Sequence, residues 1–218
     1  MTIRYLGHAS FLVAAADGAN IVFDPYQPGA FNGAIGYGRM SEPAAVVAIS
    51  HDHADHNFAA GVPGSPQVIR TPGAHWAGSV RLRGIAAKHD ASNGEARGDN
   101  VVFCAEIDGV RLCHLGDLGH ELSDAQVTEI GPVEVLLCPV GGTFTIDCEG
   151  ATRVMQALRP RITIPMHFKT PKANLPIAPV DDFLRGKHNV RREGGSEITV
   201  TPETLPPEPL LIVLEPAL

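Results

Sequence analysis

Nowhere in this 218-residue chain do about 18 apolar residues run together, which excludes a membrane-spanning helix of ordinary length. The opening residues, MTIRYLGHASF, lack a basic segment followed by a long apolar core, so no secretory signal is read and a cytoplasmic address is expected. Positive charge is also scarce: 17 Lys and Arg stand against 24 Asp and Glu, a formal net charge of −7. A field of that sign disfavours long nucleic acid and anionic membrane as partners. The densest basic stretch, Arg185, Lys187, Arg191 and Arg192, is read as solvated surface. Cys104, Cys113, Cys138 and Cys148 form no CxxC pair, which removes zinc-ribbon and dithiol redox motifs. The first three lie in apolar runs and are expected as buried thiols.

What is present is a globular composition, 44% apolar and 19% charged, with 23 Gly and 18 Pro that call for many turns and short strands. The length suits one domain spanning residues 1–218, and no flexible linker divides it. Strand-like runs cover residues 3–6, 11–14 and 21–23, with Asp17-Gly18 as a turn, then the continuous apolar run 45–49. Further strands are expected at 67–70, 80–86, 101–107, 110–115, 133–138, 161–165, 197–201 and 210–214, with Asp108-Gly109 as a hairpin turn. The last could pair within the domain or with a neighbouring molecule. Helical signals are fewer: Ser123 caps 124–130, Asp147 caps 149–158, and 181–184 adds a short turn. Two sheets covered by outer helices would bury these runs.

Chemistry concentrates at residues 51–56, His51-Asp52-His53-Ala54-Asp55-His56, an HxHxDH cluster directly after an apolar run. Imidazole and carboxylate suit divalent transition metals, and the set could fill two neighbouring sites, one richer in nitrogen. His51 and His53 could aim at one ion; Asp55 and His56 follow a turn and could reach another. His89, Asp117 and His167 each follow a strand-like run and are candidates to complete the pair, with Asp117 as a bridge. His8 could line the cleft as a substrate contact or proton donor, or be a buried, hydrogen-bonded histidine. His114 is read as core, His120 as a reserve ligand or substrate contact, and His75 and His188 as surface. The backbone amides of Gly142 and Thr143 could approach a substrate anion.

In order and context the HxHxDH at 51–56, KHD at His89, HLGD at Asp117 and PMH at His167, with Gly7-His8 and Phe23-Asp24-Pro25, resemble the metallo-β-lactamase-fold hydrolase superfamily. The resemblance is closer to its small group of metal-dependent hydrolases related to ascorbate-6-phosphate lactonase, and it spans residues 3 to about 214. It implies an α/β (α+β) fold, a four-layer αββα sandwich with two metals at one edge of the sheets. His51, His53 and His89 would hold one ion, Asp55, His56 and His167 the other, and Asp117 both. Asp24 would orient a ligand histidine. The implied reaction is hydrolysis of a small ester, lactone or phosphoester by metal-activated water, with Asp55 and Asp117 handling its proton and His8 or water protonating the leaving group. The cofactor would be two divalent ions, zinc foremost, with manganese or iron as alternatives. A small substrate is expected, since 218 residues leave little room for an added substrate domain, and the two cations could attract a compact anion. An iron-dependent oxidoreductase of the same fold and a non-catalytic metal-binding protein stand as alternatives. Against the first, His53 occupies a position where diiron reductases of this fold place glutamate.

Overall fold

Alternation of apolar side chains along the first strands sorts them between two faces, and the computed structural model shows which face each set covers. It describes residues 1–77 and 80–218. The strands are β1 (Thr2–Gly7), β2 (Ser10–Ala14), β3 (Asn20–Phe23), β4 (Val46–Ala48), β5 (Gln67–Ile69), β6 (Gly73–Ala77) and β7 (Val80–Lys88). They continue as β8 (Asp99–Ile107), β9 (Val110–His114), β10 (Val135–Pro139), β11 (Ile162–Met166), β12 (Val190–Arg192), β13 (Glu197–Thr199) and β14 (Leu210–Val213). Ile3, Tyr5, Phe11, Val13, Ile21 and Phe23 point into the larger core, while Leu6, Leu12 and Val22 point the other way into a second cluster. That is the two-residue period of a strand buried on both sides.

These strands build a six-stranded sheet in the order β13-β1-β2-β3-β4-β5 and an eight-stranded sheet in the order β12-β14-β11-β10-β9-β8-β7-β6. Each is mixed. Hairpins make most of the antiparallel pairs, as at Asp108-Gly109, where both residues have positive φ and join β8 to β9, while β1 and β13 pair antiparallel across nearly the whole chain. Parallel pairs β3/β4, β9/β10 and β10/β11 need longer crossovers. Residues of both sheets share the main core. Helices α2 (Asp124–Ile130) and α3 (Cys148–Leu158) contact β7 and β10 of the larger sheet, and α4 (Val180–Leu184) contacts α3. Ser123 caps α2 with a full capping box and Asp147 caps α3 through the Gly150 amide, as the sequence predicts.

The outer layer over the smaller sheet is thinner. It consists of a single turn, α1 (Ala30–Gly33), in which Phe31 and Asn32 are left-handed, together with loop residues such as Tyr26, Ile35 and Tyr37. Three short elements, α1, β6 and β12, carry no sequence signal strong enough to announce them. β14 pairs with β11 and β12 inside the domain, which answers the question left by its pattern. The basic stretch is neutralised locally: Arg185 pairs with Asp182, Arg191 with Glu193 and Arg192 with Asp181, and Lys187 lies over the Phe183 ring. No helix among the described residues is long and apolar enough to cross a membrane.

Loops that leave the strand ends are locked together by close backbone approach. The Gly119 amide donates to the Lys88 carbonyl, and a Cβ at Gly119 would fall 2.2 Å from the His89 carbonyl carbon. Gly119→Ala should therefore destabilise the fold by about 1–3 kcal/mol, while Gly195→Ala, whose Cβ meets nothing within 4 Å, should stay within about 0.5 kcal/mol of the parent. Urea unfolding of both variants checks this, and equal midpoints would contradict the close approach.

Candidate metal centre

Loops at one end of the two sheets converge on a group of buried histidines and carboxylates. His51 to His56 follow β4, His89 follows β7, Asp117 follows β9, His167 follows β11, Asp24 follows β3, and His8 lies in the turn between β1 and β2. Carboxyl ends of parallel strands are where an open α/β sheet presents its ligand groups. The backbone is bent to achieve this: His8, Asp24 and His167 all sit at positive φ, 56°, 42° and 52°. Such conformations are unfavourable for residues with a Cβ and persist where surrounding contacts over-determine them. One of those contacts is direct, since the His167 amide donates to the His8 carbonyl at 2.8 Å.

Within the 51–56 loop the amides of His56 and Asn57 turn back onto the His53 carbonyl at 2.9 and 3.0 Å, which separates an extended His51–His53 piece from Asp55-His56. The result is two groups of donors. One nitrogen each of His51, His53 and His89 lie within 4.8 Å of one another; so do single atoms of His8, Asp55, His56 and His167. Asp117 stands between the groups. Its Oδ2 is 3.4 Å from His89 Nε2 and 3.3 Å from His167 Nε2, and its Oδ1 is 3.3 Å from His56 Nε2.

Asp117 is placed by neighbours that the sequence alone does not single out. Its amide donates to Asn100 Oδ1 at 2.9 Å, while Asn100 Nδ2 donates to the Leu115 carbonyl at 2.9 Å. Gly116, at φ 57°, lets the chain pass so close to Asn100 and Ser50 that a Cβ would lie 2.4 Å from Asn100 Oδ1.

Asp24 sets the tautomers of two histidines. Its Oδ2 accepts from His56 Nδ1–H at 3.0 Å and from the Ser50 hydroxyl at 2.7 Å, and that hydroxyl in turn accepts from His51 Nδ1–H at 2.9 Å. The Ser50 amide adds a 2.7 Å bond to Oδ1. With Nδ1 of both rings protonated, each Nε2 turns a lone pair inward, and neither has a hydrogen-bond partner. Asp117 Oδ1 is likewise unpartnered, as are Nδ1 of His8, His89 and His167. Buried polar atoms are rarely left so in native structures.

Charge gives the same answer. Asp24, Asp55 and Asp117 are all buried, and every ion-pair contact they make among the described residues is to a histidine. Burial would raise each carboxyl's pKa, but the facing histidines outweigh it and hold all three below the usual range, Asp55 and Asp117 far below. Several of the histidines are pushed the other way, toward the neutral form. Burial and the charge of His167 take His8 down to about 4, and burial and His56 take His51 to about 3. His56 is pushed upward, because Asp117 and Asp55 overcome its burial. Buried anions without Lys or Arg partners need another cation, and inward-facing imidazole lone pairs beside carboxylates fit a divalent transition metal.

Other expectations sort by their hydrogen bonds. His114 is core, as its pattern predicts: Nε2–H donates to the Ala9 carbonyl, Nδ1 accepts from the Gly116 amide, and the ring stacks on Phe23 at 5.1 Å. His120 spends both nitrogens on backbone, accepting from the Lys88 amide and donating to the Glu121 carbonyl, which favours a substrate contact over a reserve ligand, since its ring borders the outer cleft. His188 is exposed; His75 lies on β6 and bonds the Thr71 carbonyl.

A cavity of about 350 Å³ opens over His53, Asp55, His89, Asp117 and His167. His8 is absent from its wall. It is fully buried behind Asp55, to whose Oδ2 its Nε2 lies 2.9 Å away, which favours the hydrogen-bonded reading over a substrate contact or leaving-group acid. Gly142 and Thr143, both at positive φ, form a tight turn whose Thr143 hydroxyl bonds the Pro176 carbonyl. That turn presents Phe144 to the cavity, where the sequence reading expected the amides of Gly142 and Thr143.

Residues 2–167 match the family model described as the beta-lactamase superfamily domain. The chain is 32% identical over 197 residues to a UPF0173 metal-dependent hydrolase of Carboxydothermus hydrogenoformans, covering 78% of this chain and 85% of that one. Among solved structures it is similar to a Thermotoga maritima protein ascribed to the Zn-dependent hydrolases of the metallo-β-lactamase superfamily, with 37% identity, a TM-score of 0.80 and 98% of each chain covered. A metallo hydrolase of Ignicoccus hospitalis shares the fold at 22% identity and a TM-score of 0.60, over 84% of this chain and 88% of that one. Mixed sheets with their histidines and carboxylates at the strand ends, together with these matches, mean that the chain belongs to the metallo-β-lactamase superfamily, in its family of metal-dependent hydrolases.

Proposed function

We propose that this protein hydrolyses a small ester, lactone or phosphoester at a dinuclear metal site. The observation that carries this is the pair of donor groups flanking Asp117, with His51 Nε2, His56 Nε2 and Asp117 Oδ1 all lacking partners. His51, His53 and His89 would hold one ion; Asp55, His56 and His167 the other; Asp117 would serve both. Zinc is the first candidate, with manganese or iron acceptable to the same donors. When bound, two such ions supply an acidified water and a polarised acyl or phosphoryl oxygen.

The remaining work belongs to the chain. His8 Nε2–H holds Asp55 Oδ2, which fixes the carboxylate that would take the proton of the attacking water. Asp24 and Ser50 fix the rings of His51 and His56 so that little reorganisation accompanies the reaction. The cavity's volume, about 350 Å³, suits a small molecule and leaves a polymer to the surface.

Two outcomes test this. Asp117→Ala should lower bound metal from two equivalents to one or fewer, by elemental analysis, and cut turnover of a lactone, phosphodiester and carboxylic ester panel by at least about 100-fold; retention of both metal and turnover would refute the bridge. Asp24→Asn places an amide donor against His56 Nδ1–H and should weaken metal affinity about 10–100-fold in chelator competition, with circular dichroism unchanged.

A further inference from the structure

The wall of the inner cavity opposite the metal centre is built from Phe31, Phe144, Leu175 and Arg97. Arg97 is the one Lys or Arg side chain there among the described residues. Its guanidinium lies over the Phe144 ring at 5.4 Å from the centroid and enters no ion pair or hydrogen bond among the described residues. Neighbouring cations differ: Lys88 is paired with Asp99 at 2.6 Å and Arg70 with Asp52 at 3.6 Å. Arg97 also borders the larger outer cleft, about 1030 Å³, so it stands where the cleft narrows into the cavity.

Its position is built from the backbone. Asp90, the residue after His89, accepts from the amides of Ser92 and Gly94 on Oδ1 and from those of Ala96 and Arg97 on Oδ2, all at 2.7–3.1 Å. The His89 amide closes the loop onto the Gly98 carbonyl at 3.0 Å. Residues 90–98 thus form a rigid arch rooted beside a proposed metal-holding histidine. Its one half-buried arginine reaches back to the cavity.

We propose that Arg97 selects the substrate by binding an anionic group, carboxylate or phosphate, on a small molecule whose apolar part rests against Phe31, Phe144 and Leu175. This rests on the hydrolytic reading above and adds the substrate class to it. A guanidinium stacked on an aromatic face keeps its N–H edge free, and that fork matches a carboxylate or phosphate with two parallel hydrogen bonds. Asp90 is the positioning residue for this contact.

The test compares metal-loaded parent and Arg97→Gln on three nitrophenyl esters of equal size, bearing a carboxylate, a phosphate or no charge. The ratio of kcat/KM for the charged over the neutral ester should fall about 10–100-fold in Arg97→Gln, mainly through KM, with part regained in Arg97→Lys. Whichever charged ester falls further names the anion. Calorimetry with phenylphosphonate gives a readout independent of turnover: its Kd should weaken at least about tenfold in Arg97→Gln. An unchanged ratio, equal phosphonate affinity in both proteins, or no phosphonate binding by the parent would overturn the proposal. Absence of turnover with every ester would sink the hydrolytic reading, while the calorimetry still decides the role of Arg97.

Discussion

Three carboxylates buried together without a lysine or arginine between them form the constraint around which the rest of this structure is arranged. Taking even one unpaired anion out of water costs several kcal/mol. Asp24, Asp55 and Asp117 are tolerated because histidines ring them and because the site is shaped for further positive charge. The fold and the chemistry are therefore one problem. An interior of this kind suits a cation, in keeping with a family of metal-dependent hydrolases.

Geometry follows from where the sheets place their ends. Parallel strands deliver Asp24, the 51–56 loop, Asp117 and His167 to one rim, and close approaches at Gly116 and Gly119 tie those loops to their neighbours. Asp24 carries two tasks at once: it holds His56 directly and His51 through Ser50. A single carboxylate thereby coordinates two rings that belong to different donor groups, so the two halves of the site share one orientation.

Much of this was legible in the chain. Short apolar runs between turn residues exposed most of the strands, Ser123 and Asp147 marked their helices, and the HxHxDH cluster with His89, Asp117 and His167 named residues that the fold brings to one rim. What escaped did so for physical reasons. Ser50 and Asn100 act through side-chain hydrogen bonds that reach across 26 and 17 positions, and no local pattern distinguishes such a serine or asparagine from a turn residue. β6 and β12 are edge strands whose exposed residues lack alternation, and α1 is a left-handed turn rather than a periodic segment. His8 shows the limit of motif reading: its place in the chain left both a cleft wall and a buried, hydrogen-bonded ring open, and its burial behind Asp55 depends on the packing of two sheets.

The arch at residues 90–98 owes its shape to four amides gathered by one carboxylate, with the side chains of Ala91, Ser92, Asn93, Glu95 and Ala96 left in solvent. Its form is thus largely independent of what those positions carry. Substitution at those positions can redecorate the rim of the cleft while the histidine at its root stays in register.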